Sequence, residues 1–140
     1  GMGNGFPIGG VLIYNKIKSK YGMLGTTFGG NHLACAAGIS VLDVIEKENL
    51  IENASELSEY IQQKAKEIPQ IKKVKGRGLM IGLEFEFEVA ALRKDLLFNY
   101  QIFTGAASNK KLLRILPPLN IQKEHFETFF KALKTALENH

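Results

Sequence analysis

The 140-residue sequence contains one cysteine, Cys35, which excludes an internal disulfide framework and any zinc site built from several thiolates. Flanked by Ala34, Ala36 and Ala37 and with no basic neighbour to activate it, this cysteine is expected to act as a small buried hydrophobe. Histidine is also scarce, and His32, His125 and His140 are too dispersed for a metal cluster. No stretch approaches the roughly 18 consecutive apolar residues that span a bilayer, so no membrane association is expected. The opening residues show no basic segment followed by an apolar run, and the default expectation is a cytoplasmic protein. Long runs of one charge are missing too. The net charge is +4, but Lys64, Lys66, Lys72, Lys73 and Lys75 are scattered among acids, as on a solvated surface rather than a nucleic-acid stripe.

The composition itself, 45% hydrophobic and 23% charged, is that of a globular chain of one common domain size. Its first thirty residues stand apart. Gly1, Gly3, Gly5, Gly9, Gly10, Gly22, Gly25, Gly29 and Gly30 fall there, and backbone so poor in side chains reads as a segment that something else approaches closely. Val11 to Tyr14 fit either a short strand or a helical turn.

Beyond Asn31, a good helix cap, Leu33, Ala34, Ala37, Gly38, Val41, Leu42 and Ile45 recur at helical spacing. Leu50, Ala54, Leu57, Ile61, Ala65 and Ile68 continue the period up to Pro69, giving one long helix or two joined near Asn49. The period then shortens to two. Leu79, Ile81, Leu83, Phe85 and Phe87 alternate with Met80, Gly82, Glu84, Glu86 and Glu88, as in a strand with one buried face. Lys72 to Lys75 supply an antiparallel partner through Gly76-Arg77-Gly78. Val89 to Tyr100 return to helical spacing, Ile102 and Phe103 read as a strand, Gly105 to Lys110 as a turn, and Leu112 to Leu116 as a further strand. After Pro117-Pro118, Phe126, Phe129, Phe130, Leu133 and Leu137 mark a final helix. The expected class is α+β, a small and mainly antiparallel sheet covered on one face by helices.

Local chemistry singles out few residues. Glu84, Glu86 and Glu88 share a strand face, but nothing beside them would separate their pKa values for acid–base work, and a solvated face is expected. Thr26-Thr27-Phe28-Gly29-Gly30-Asn31 places two hydroxyls and two glycines before a helix N-terminus, where N–H donors and the dipole favour an anion. Capping by Asn31 alone would account for part of that pattern. Arg114 interrupts an apolar strand, where its guanidinium could clamp a carboxylate or point from an edge strand to solvent.

Four blocks carry a family resemblance: Gly1-Met2-Gly3-Asn4-Gly5-Phe6-Pro7-Ile8-Gly9, Gly25 to Asn31 with Leu33 to Ala37, Gly76 to Gly82, and Leu113-Arg114-Ile115-Leu116-Pro117-Pro118-Leu119. Their order and separations resemble the class-III pyridoxal-phosphate aminotransferases, especially those acting on N-acetylornithine. The resemblance implies the C-terminal part of a fold-type I enzyme, with residues 1–30 a remnant of the large cofactor-binding domain. Residues 31–140 would then be the small domain with a long linking helix. It implies transfer of an amino group between N-acetylornithine, or a related ω-amino substrate, and 2-oxoglutarate, with pyridoxal 5'-phosphate as cofactor and a homodimer as the assembly. By that resemblance Thr27 reaches the cofactor phosphate of a neighbouring subunit, while Thr26 and Arg114 belong to the substrate site. The family's cofactor lysine immediately precedes the first block, whereas the first lysine here, Lys16, lies beyond it. The chain by itself is therefore expected to be inactive and not to retain the cofactor. Leu24 and His32 depart from the family's usual His and Pro at those places, which bears on substrate choice more than on fold. The alternative is a non-enzymatic dimerisation or anion-binding module derived from the same domain.

Overall fold

A computed structural model describes residues 1–138, in two compact units, Gly1–Glu48 and Asn49–His140. The first unit is a glycine-rich stretch of turns followed by α1 (His32–Lys47). Val11 to Tyr14 adopt neither candidate conformation and are exposed. Asn31 caps α1 as its chemistry dictates, its Oδ1 accepting from the Ala34 N–H at 2.9 Å. The narrow face of α1 is made of small residues, Ala34 and Gly38 being buried, and Ile8 reaches to within van der Waals range of Gly38. Two expectations for this helix do not hold. Leu33 and Leu42 are exposed, and Cys35 is exposed rather than buried, because it follows Ala34 by one residue and so turns about 100° off that face.

Two helices form, not one long one. Asn49 takes the left-handed conformation, φ 50°, which breaks the period between α1 and α2 (Leu50–Lys66). The two compact units meet at Glu48–Asn49. In the second unit, strands β1 (Lys73–Arg77), β2 (Met80–Glu84) and β3 (Leu112–Ile115) form an antiparallel sheet in the order β1-β2-β3. The β1–β2 hairpin closes through Gly78 and Leu79, with Arg77 opposite Met80. Helices α3 (Ala90–Tyr100) and α4 (Lys123–Glu138) complete the unit.

The core follows the period-two pattern. Ile81 faces Ile115 and Leu83 faces Leu113 across β2 and β3, and with Leu79 and Phe85 they form one buried wall. Leu57, Ile61 and Ala65 of α2, Leu92 and Leu96 of α3, and Phe126, Phe130 and Leu133 of α4 supply the opposing wall. Burial of these side chains is the main driving force, about 1.5–3 kcal/mol for each large one. Polar ties fix the helices around it: Asn53 Nδ2 donates to the Leu119 carbonyl at 2.7 Å, and Glu67 at the end of α2 accepts from Lys64 and, on α4, from Lys134.

Two strand expectations are corrected. β2 ends at Glu84, short of Phe87, because Phe85 N–H turns to the Lys111 carbonyl and Val89 N–H to that of Lys110. Ile102 and Phe103 form no strand. Only Gly105 bridges to β3, opposite Arg114, since Ile102 N–H is taken by the Leu96 carbonyl at the end of α3. Among the described residues no helix is long and apolar enough to cross a membrane.

Candidate functional site

Thr26 and Thr27 lie on the turn that leads into α1, both exposed. The turn is tight: Gly29 N–H donates to the Thr26 carbonyl at 3.4 Å, and the Thr26 methyl occupies the space that a Cβ on residue 29 would need. Gly30 has φ 72°, the left-handed region, and lets the chain reverse into the Asn31 cap. The first N–H groups of a helix have no intrahelical carbonyl to bond. Here Asn31 satisfies that of Ala34, and the first turn carries no acidic side chain to repel an anion. Two hydroxyls, helix N–H donors and the positive end of the α1 dipole therefore suit a phosphate monoester, and the residues present fit the phosphate of pyridoxal 5'-phosphate. Thr27 and Thr26 are the side chains that would hold it or sit beside it.

Arg114 belongs to the second unit. In the register Arg114 lies opposite Gly82 and flanks Leu112, on the sheet face away from the helices, while Leu113 and Ile115 point to the core. Its backbone makes both bonds of the bridge to Gly105, with Gly105 N–H donating to the Arg114 carbonyl at 2.7 Å and Arg114 N–H to the Gly105 carbonyl at 3.1 Å. The guanidinium lies along Gly105, and residues 105 and 114 are among those bordering a cavity of about 440 Å³ with Ile115, Ile121, Phe126, Phe129 and His125. The Thr104–Gly105 segment is strapped from behind by Arg93, whose Nη2 donates to the buried Thr104 carbonyl at 2.9 Å. Among the described residues, Arg93 Nε and Thr104 Oγ1 are buried without a protein partner. Gly105, Thr104 and Arg93 were not singled out by the sequence; the Thr-Gly pair ahead of the polar turn is the one local sign of them.

The remaining acidic candidates are structural. Lys75 donates to Glu84 at 2.8 Å and holds its carboxyl below the ordinary value of 4.5, opposite to what a general acid requires. Glu86 pairs with Lys72 and Glu88 with Lys110, as on a solvated surface. Gly76-Arg77-Gly78 forms a hairpin and opens no helix. Among the described residues no group of His, Cys, Asp or Glu could hold a metal ion, and His140 lies outside them.

Comparison with known proteins bears on both sites. The family described as "Aminotransferase class-III" matches residues 1–137. The acetylornithine aminotransferase of Aquifex aeolicus is 43% identical over 98% of this chain and 36% of its own length. Among solved structures, acetylornithine aminotransferase from Elizabethkingia anophelis superposes with a TM-score of 0.71 at 28% identity, over 87% of this chain and 34% of that one. Ornithine aminotransferase from Toxoplasma gondii, described with partial occupancy of PLP at its active site, gives a TM-score of 0.69 at 27% identity, over 84% and 29% of the two chains. The chain thus spans about a third of the length of the relatives it matches. The α+β architecture, the blocks around Thr26, Thr27 and Arg114, and a match running through nearly every residue lead to one assignment: the chain belongs to the class-III aminotransferases, a family of pyridoxal-phosphate enzymes.

Proposed function

We propose that this chain contributes the phosphate-holding turn and a carboxylate-reading arginine to a transaminase that moves an amino group between N-acetylornithine, or a related ω-amino substrate, and 2-oxoglutarate. The observation that carries the proposal is the exposed Thr26–Thr27 pair on a glycine-cradled turn at the N-terminus of α1. Thr27 donates its hydroxyl to a cofactor phosphate, that of a neighbouring subunit in a homodimer, and Thr26 borders the substrate. Arg114 offers a planar fork whose two parallel N–H bonds match a substrate carboxylate. Pyridoxal phosphate, when bound, supplies a conjugated ring that takes up the electron pair released at the carbon bearing the amino group. The chain's own groups bind, orient and neutralise charge. Residues 1–30 belong with the cofactor-binding domain of the longer enzyme and residues 31–140 with its small domain, in the cytoplasm.

Turnover on this proposal belongs to the longer protein, because no lysine of the 140 residues occupies the family's cofactor position. Incubation with pyridoxal phosphate, borohydride reduction and peptide mapping is expected to give no singly labelled lysine and no transamination; a unique labelled lysine with activity would overturn that part. Thr27 is tested by titrating inorganic phosphate against the chain and T27V with ³¹P NMR. Loss of a hydrogen bond to a charged group, about 1.5–3 kcal/mol, corresponds to roughly 10- to 100-fold weaker binding. Equal affinity would remove Thr27 from the site.

A second reading, a non-enzymatic self-associating module, is favoured by the large apolar residues exposed in the first unit, among them Leu12, Tyr21, Phe28 and Leu33. Sedimentation across concentrations separates it: a monomer at every concentration removes it.

A further inference from the structure

We infer that Gly105 is the positioning residue for Arg114: the missing side chain at residue 105 is the seat in which the guanidinium rests, and it aims the carboxylate-binding fork. The inference rests on the reading of Arg114 as a carboxylate clamp and goes beyond it by naming what orients the clamp.

The geometry is specific. A Cβ built on Gly105 would lie 2.8 Å from Arg114 Nε, 3.3 Å from Nη2 and 3.4 Å from Cβ, so the guanidinium occupies the volume any larger residue would fill. The backbone of Gly105 is independently fixed. It makes both bridge bonds to Arg114, and the preceding residue, Thr104, is buried at 5% exposure and tied to Arg93. The seat therefore cannot retreat, and the side chain resting on it must yield. Arg114 is exposed and flexible, so an added methyl would rotate its guanidinium away at little cost to folding, the backbone bonds of residue 105 being unchanged. No positive φ is recorded at Gly105, so glycine is not required there by backbone conformation; the close approach of Arg114 is what requires it.

Two free-standing alternatives are weaker. Across the sheet, Gly82 also lies beside Arg114, but a Cβ there would press on Leu112 and not on the guanidinium. Lys75 on the same face is the second, and its ammonium is already paired with Glu84 at 2.8 Å.

The test titrates 2-oxoglutarate against the 140-residue chain and against G105A, R114K and R114A, following the arginine Nε–H resonances by ¹⁵N NMR. G105A is expected to weaken dicarboxylate binding about tenfold or more, close to R114K, since either change costs one arm of a charge-assisted fork. Thermal midpoint and inorganic phosphate affinity at the Thr26–Thr27 turn should stay as they are, which a merely structural role of Gly105 would not give. If G105A binds as the unsubstituted chain does while R114K loses affinity, the seat is overturned and the clamp stands. If R114A also binds unchanged, the clamp itself is overturned, and the seat with it. Should G105A fail to fold, nuclear Overhauser contacts between the Gly105 Hα protons and the Arg114 Nε–H in the unsubstituted chain decide: their presence supports the seat and their absence overturns it.

Discussion

Leu83→Ala is the substitution whose cost the structure fixes best. Leu83 is fully buried at the centre of β2, opposite Val74 on one side and Leu113 on the other, with α2, α3 and α4 closing the core around it. Truncating a leucine so enclosed removes its transfer energy and leaves a cavity, together about 2.7–5 kcal/mol. A unit of about 90 residues carries only about 5–14 kcal/mol at 0.05–0.15 kcal/mol per residue, so up to half or more of its stability is at stake. At 3 kcal/mol the melting temperature falls by about 12–24 °C. Met80→Ala is the internal control, on the same strand but the opposite face, 63% exposed, and expected within about 0.5 kcal/mol of the unsubstituted chain. Urea denaturation followed by circular dichroism measures both. Equal losses at the two positions would refute the assignment of the sheet's buried face.

Asn31→Ala removes the cap on the Ala34 N–H and should cost α1 about 1 kcal/mol, read as faster amide exchange at Ala34 and Cys35. Gly29→Ala sets a methyl against that of Thr26 and should distort the turn, lowering phosphate affinity in the ³¹P titration while leaving the melting temperature of the second unit unchanged. Hydrogen bonds from Lys64 and then Lys134 hold the Glu67 carboxyl below its ordinary 4.5. A depressed carboxylate stabilises the fold above its unfolded value, and that contribution is lost as pH falls through 4.5 towards the folded one. The urea midpoint should therefore drop on acidification, and Lys134→Met should make that drop shallower.

How much of this was legible in the sequence depended on the range of each interaction. The alternation of Leu79, Ile81, Leu83 and Phe85 identified the apolar sheet face because hydrophobicity at alternate positions is a local property, and the helices cover that face. The Asn31 cap was readable for the same reason, since donor and acceptor lie three residues apart. Ile102 and Phe103 have strand composition, yet the end of α3 takes the Ile102 N–H, and composition does not register such competition. Leu33 and Leu42 follow the helical period but remain exposed, because periodicity says which face is apolar and not whether anything covers it. Thr26 and Thr27 could be nominated from a local pattern, and Arg114 from an apolar strand that it interrupts. Gly105 could not, since its role depends on a bridge to a residue nine positions later and on where a flexible guanidinium comes to rest.

The central claim is that this chain supplies working parts of a class-III transaminase. The most direct measurement replaces the matching third of the Aquifex aeolicus acetylornithine aminotransferase with this chain, 43% identical over that span, and assays amino transfer from N-acetylornithine to 2-oxoglutarate. The account predicts an active hybrid in which T27V weakens pyridoxal phosphate binding and R114A raises the KM for 2-oxoglutarate. A hybrid that folds and binds the cofactor but transfers no amino group, or one whose activity ignores both substitutions, would contradict it.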